Sequence, residues 1–240
     1  MKMSTTRFSS LSLLLVATLM TGCATKFERQ AFNSEASSNI KKIVVNQWNE
    51  QEEYPVYIVN HPGNSFGLIG AIASASDRTT KTKKVNDLLE PSKTKVTAAF
   101  YEKAVPALKS SGYDITAVSV KRTDKPDDVK ASLKKPQGQD ANLAIDLLSS
   151  YLAAGASTDY FPSVVMVAEL TDAKTQTLLY REAYHYGYNN GNKEVVHIDA
   201  AAECKFKDID ALTANMDITR KCLMDSIDVL VKQLVSDLKK

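Results

Sequence analysis

The sequence predicts an α+β fold: a mixed β-sheet packed with helices and closed by a long C-terminal helix. Three observations carry this. Short β-branched or alternating runs recur at 40–46, 56–59, 113–120, 141–151, 163–170 and 177–186. Two other stretches, 94–111 and 211–238, place their apolar residues at helical spacing instead. The helical stretches are interleaved with the strand-like ones, and a turn-rich segment at 171–176 joins two strands as a hairpin. That order gives helices laid on a sheet, not a bundle or a strand-only sandwich.

Each element has its local reason. Ile40, Ile43, Val44 and Val45 make a first strand, and polar residues 47–54 break it. The strand at 56–59 is stopped by His61-Pro62-Gly63. Residues 66–76 are apolar and small, with Gly67 and Gly70, and too few to span a bilayer. They read as a buried helix or loop beneath the sheet; the alternative is a surface that meets a membrane or a partner chain. Residues 81–90 form a charged helical segment ended by Pro91. Val96, Ala99, Phe100, Ala104, Ala107 and Leu108 define the next helix, with Pro106 as a kink point and Gly112 as its stop. Residues 121–140 are polar, with Pro126 and Pro136 around a short helix at 127–133. A strand at 141–151 and a loop at 153–159 lead into the hairpin, and 188–192 break the pattern. Residues 200–206 carry no clear signal. Leu212, Met216, Thr219, Leu223, Ile227, Leu230, Leu234 and Leu238 form the stripe of the last helix.

The amino terminus has a different character. Lys2 and Arg7 precede an apolar run at 11–20, and Thr21-Gly22-Cys23 follows. This is the layout of a secretory signal peptide, and the run is shorter than the roughly 20 residues of a membrane-spanning helix. The segment Leu19-Met20-Thr21-Gly22-Cys23 resembles the lipobox of bacterial lipoproteins. The resemblance implies cleavage after Gly22, a diacylglycerol thioether on Cys23 and a fatty acyl group on the new amino terminus. It divides the chain into a signal peptide (1–22), a lipid-anchored tether (23–39) and a periplasmic α+β domain (40–240). Ala24, in place of an Asp after the lipidated Cys, implies the periplasmic face of the outer membrane. The alternative is an ordinary secreted protein with a chance Cys beside its cleavage site.

Lys2 and Arg7 account for the whole formal net charge of +2, so the chain from Cys23 onward is neutral. A neutral domain has no basic footprint for nucleic acid. Of the three Cys, lipidation takes Cys23 and leaves Cys204 and Cys222. In an oxidising compartment these two are expected to form a disulfide, worth about 3 kcal/mol by loop closure; two free buried thiols are the alternative. His61, His185 and His197 show no metal-ligand spacing, and no phosphate loop, nucleotide fingerprint or nucleophile elbow appears. No catalytic residue, metal or cofactor is expected. Asp146, inside an apolar strand, is the best candidate for a perturbed acid. Tyr180, Tyr184, Tyr186 and Tyr188 share parity, so their rings line one face of the hairpin strand, as packing or as a ligand cage.

The element pattern over 40–190 also resembles a lipoprotein group. It joins the first strand at 40–45, the helix ending in Gly112-Tyr113, the strand at 142–148 and the hairpin with its Asp172 turn and Tyr180 return. The group contains the curli-export lipoprotein and penicillin-binding-protein activator lipoproteins, and its domain is similar to the N-terminal domain of the Tol-system protein. The long C-terminal helix and the Cys pair are not part of that resemblance. It implies a non-enzymatic binding or assembly module for an envelope complex, with an envelope protein or a second copy as partner besides the membrane. Two alternatives remain open: a small-ligand binder or enzyme using Asp146, His185 and the tyrosines, and an oligomeric export pore in which 66–75 helps insert.

Overall fold

The computed structural model describes residues 27–122, 133–135 and 137–239. A seven-stranded mixed sheet forms its centre. In chain order the strands are β1 (Lys42–Trp48), β2 (Val56–Ile58), β3 (Asp114–Val120), β4 (Ala141–Ala153), β5 (Tyr160–Asp172), β6 (Leu178–Gly187) and β7 (Val196–Ile198). The spatial order is β3-β1-β4-β5-β6-β7, and β2 pairs with the end of β4 that β1 does not reach. The pairings β4–β5 and β5–β6 are antiparallel, and the rest are parallel.

The helices are α1 (Gly67–Leu89), α2 (Pro91–Thr94), α3 (Val96–Ser110), α4 (Ile209–Ala214) and α5 (Met216–Asp237). Strand alternation decides where they pack. Leu143, Ile145, Leu147 and Tyr151 of β4 and Val164, Met166, Ala168 and Leu170 of β5 are all buried. They share one core with Phe100, Ala104 and Leu108 of α3 and Leu223, Ile227, Leu230 and Leu234 of α5. The opposite parity is less covered: Leu148 is 45% exposed.

Tyrosine hydroxyls tie α5 to this sheet. Tyr151 donates to the Thr219 carbonyl, and Tyr113 donates to the Leu238 carbonyl at 2.6 Å. Tyr180 and Tyr184 lie 2.7 Å apart, and both reach the Asp237 carboxylate. Burial pushes all four phenols above their ordinary range, so they act as donors.

Several expectations are corrected. The segments expected at 66–76 and 81–90 are one helix of 23 residues, α1. Its first turns are not beneath the sheet: Phe66, Ile69 and Ile72 are 74%, 83% and 63% exposed. The reason is position. This end of α1 leans on the turn at Pro62–Ser65. There Gly70 is required, because a Cβ on it would lie 1.8 Å from the Gly63 carbonyl oxygen. Thr82, Val85 and Leu89 bury the other half of the helix.

The helix expected at 211–238 is two helices, because Asn215 caps the second one: its side chain accepts from Ile218 N at 3.3 Å. The residues expected to be tether at 23–39 are docked from Phe27 onward. Gln30 exchanges two backbone hydrogen bonds with Arg181, each 2.9 Å, and Arg29 pairs with Glu182 at 2.6 Å. The Arg181 guanidinium stands 5.2 Å from the Phe27 ring centre, and Ser37 is buried. The signal segment and Cys23 lie outside the described residues, as does all but Leu133 of the helix expected at 127–133.

Cys204 and Cys222 are joined, with their Cα atoms 5.6 Å apart and both side chains fully buried. The bond ties the short turn at Ala202–Cys204 to the first half of α5. Replacing both by Ala is expected to cost about 2–4 kcal/mol in urea unfolding. Mass spectrometry of unreduced, alkylated protein should find neither thiol labelled.

Candidate interaction surface

The surface at the start of α1 is built from the loop that precedes it. His61 Nδ1 accepts from Gly63 N at 3.0 Å, and Pro62 starts a tight helical turn. Phe66 then opens α1. Below the tip, polar contacts fix the helix: Asp77 pairs with Lys81 and lies 3.6 Å from His61 Nε2, and Arg78 stacks 4.8 Å from the Tyr57 ring centre. Above them, residues 66–76 carry no charge at all. Phe66, Ile69 and Ile72 recur every three residues, so they form one exposed ridge, with Ala73 and Ala75 beside it. A contiguous apolar ridge of this kind marks a contact surface more than isolated exposed residues do.

Its place in the fold matters as much as its composition. β2 sets the chain that leads to α1 against Ala153, the C-terminal end of β4. The docked N-terminal segment meets Arg181, which stands opposite Glu169, and Glu169 stands opposite Ala144. Nine residues of strand separate Ala144 from Ala153, roughly 30 Å at about 3.3 Å per residue. The ridge and the N-terminal segment therefore occupy opposite ends of the sheet.

The residues singled out from sequence do not assemble into a catalytic cleft. Asp146 stands opposite Val167 on β4, and its carboxylate is held by Arg122 at 2.7 Å. His185 is on β6, and its Nε2 lies 2.7 Å from Ser163 Oγ. That distance suits a nucleophile and base, but the two are only 2% (Ser163) and 7% (His185) exposed, and the nearby Asp199 carboxylate pairs with His197 instead. Burial, reinforced by His197, pushes the His185 imidazole down to about 4, so it is neutral at pH 7. Tyr180, Tyr184 and Tyr186 share a face as expected and are buried in the core, but Tyr188 does not join them: β6 ends at Gly187, whose φ of 90° breaks the alternation, and the Tyr188 ring lies 6.1 Å from that of His185, a residue of the opposite parity. Among the described residues, no group of three or more His, Cys, Asp or Glu is placed to hold a metal. No described helix is long and apolar enough to cross a membrane.

Sequence reasoning missed the Ser163–His185 contact and the anchoring role of Arg122. The hairpin itself was legible, but the register shift at Leu170/Thr171 decides which of its residues meet.

No family model matches this chain, and no curated protein sequence matches it. Several solved structures are similar to it, three of them as follows. A protein from Xanthomonas campestris of the DUF330 family has 13% identity and a TM-score of 0.36, over 82% of this chain and 85% of that one. A homolog of a neuraminyllactose-binding hemagglutinin from Helicobacter pylori has 12% identity and a TM-score of 0.31, over 90% and 89%. A lipoprotein from Neisseria meningitidis has 14% identity and a TM-score of 0.22, over 63% and 84%.

His185 gives the domain a pH dependence of known sign. Its folded value lies below the ordinary 6.5, so its contribution is complete above pH 6.5 and is lost as pH falls toward 4. Between pH 7.5 and pH 5, urea unfolding should show the wild type losing about 2 kcal/mol more than His185→Gln.

Proposed function

We propose that this chain is a non-enzymatic lipoprotein of the cell envelope, anchored through lipid on Cys23 at the periplasmic face of the outer membrane. It acts as a binding or assembly module that presents the α1 ridge to a partner protein. The observation that carries this reading is the exposure of Phe66, Ile69 and Ile72 at the end of the sheet opposite the docked N-terminal segment.

The reasoning is one of reach. Only residues 24–26 separate Cys23 from Phe27. Four extended steps span at most about 14 Å. A lipid on Cys23 therefore keeps the bilayer within that reach of Phe27, while the ridge lies beyond the Ala153 end of β4, which is roughly 30 Å along the sheet from the level of Gln30. An apolar ridge held away from its own membrane is best covered by protein. The same distance disfavours the pore reading, which needs 66–75 inside the anchoring bilayer.

The test uses a photo-crosslinking residue in place of Ile69, and separately in place of Lys174 in the β5–β6 turn, in living cells. Position 69 is expected to give a discrete protein adduct, lost when Phe66→Ser and Ile72→Ser are added. Position 174 is expected to give lipid adducts. Cys23→Ser should abolish fatty-acid labelling and release the protein from membranes. Lipid adducts at position 69 in the anchored protein would overturn the reading.

A further inference from the structure

The two edges of the sheet are finished differently. At one, the three-residue β7 and the Gln30 bridge share the outer side of β6. At the other, β3 runs for seven residues and pairs only with β1. A parallel ladder turns every second residue of β3 toward β1. Asp114 donates its N–H to the Lys41 carbonyl at 2.8 Å, and the Val120 carbonyl accepts from Asn49 N at 3.1 Å. The even-numbered residues therefore face β1, and Ile115, Ala117 and Ser119 turn their N–H and C=O groups outward. Among the described residues nothing bonds to these outward groups, and Ala117 and Ser119 are exposed. Sheet proteins blunt such an edge with charge, proline, a bulge or brevity. Residues 115–120 carry no charge and no proline, and their register against β1 has no bulge.

This edge is complementary to itself. On a two-fold axis at Ala117, a second copy runs antiparallel to the first. Ile115 then stands opposite the partner's Ser119, and Ala117 opposite the partner's Ala117. These are the outward-facing residues of both strands, so each of the three opposed pairs exchanges two hydrogen bonds. Between them, Thr116 meets the partner's Val118 as a β-branched pair. No like charges face each other: Asp114 lies beside the partner's Val120, one residue from the partner's Lys121.

A groove of about 500 Å³ between α3 and this edge gives a second, independent observation. Trp48, Tyr101, Val105 and Pro106 supply apolar walls, Ser119 belongs to β3, and the charged residues on the groove are Glu50 and Glu102, with no cation among the described lining. Glu50 is used within the fold, where its Oε2 accepts from Ala98 N at 3.1 Å. Glu102 is exposed and makes no ion pair among the described residues. Lys109, two turns further along α3, is exposed and free in the same sense, whereas Lys103 is paired with Asp228. The same two-fold axis sets the two α3 helices antiparallel, with the Glu102 end of each toward the Lys109 end of the other. An acidic groove then meets an ammonium group from the second copy.

We propose that β3 pairs with β3 of a second copy of this chain, antiparallel and centred on Ala117, with Glu102 and Lys109 paired across the axis. The two sheets become one. This surface is separate from the α1 ridge and needs no lipid on Cys23.

Single cysteines in the purified full chain, mildly oxidised, read the register. Two Ala117→Cys residues would stand opposite each other with Cα atoms about 5.5 Å apart, within disulfide reach. Ser119→Cys is also exposed, but lies four residues out of step with its own copy, roughly 13 Å along the strand. Ala117→Cys is expected to give about tenfold or more covalent dimer than Ser119→Cys. Ser119→Pro removes an outward N–H and no bond to β1, so adding it should cut the Ala117→Cys dimer about tenfold with little change in Tm. Lys109→Glu should also lower the yield, and adding Glu102→Lys should restore it. Equal yields at 117 and 119, no dimer from folded Ala117→Cys, a dimer indifferent to Ser119→Pro, or a yield that the charge swap fails to restore would overturn the proposal.

Discussion

The attachment of residues 27–30 to the outer edge of β6 is the constraint on which the reading of this molecule rests. Glu182 is nearly buried and needs a cation; Arg29 supplies one at 2.6 Å. Gln30 adds a backbone pair to an edge that would otherwise expose unpaired groups. β7 covers the rest of the same edge, opposite residues 184–186. The ion pair and the bridge together decide where the chain leaves the fold. Any anchor further toward the amino terminus pulls on that point.

For the exit point to orient the whole domain, the domain must be stiff between its two ends, and α5 makes it so. Its first turn receives Tyr151 and its last receives Tyr113, with Asp237 held by Tyr180 and Tyr184. The disulfide adds a covalent tie near its start. These contacts join both ends of the helix to strands on both sides of the sheet. The consequence is polarity: Gln30 meets β6 toward one end of the sheet, and the α1 ridge marks the other.

Much of this architecture was legible because it is written in local periodicity. The strands at 141–151 and 163–170 alternate cleanly, and the stripe from Met216 to Leu234 repeats at helical spacing, so the α+β class followed. The Cys pair was legible from parity and compartment. What escaped depends on distant neighbours. An apolar run such as 66–76 looks the same whether a core receives it or not; only the placement of α1 leaves Phe66, Ile69 and Ile72 bare. The polar residues 27–39 gave no strand signal because they make a single bridge. β7 is three residues long, below the reach of any period.

The most direct test of this polarity is a measurement of depth. Nitroxide labels at Lys174 and at Ile69, placed in the lipidated protein in bilayers, can be relaxed by lipid-bound or by water-soluble paramagnetic reagents. The account predicts strong relaxation of the Lys174 label by the lipid-bound reagent and, for the Ile69 label, relaxation by the aqueous reagent alone. Strong relaxation of the Ile69 label by the lipid-bound reagent, with the Lys174 label out of its reach, would contradict it.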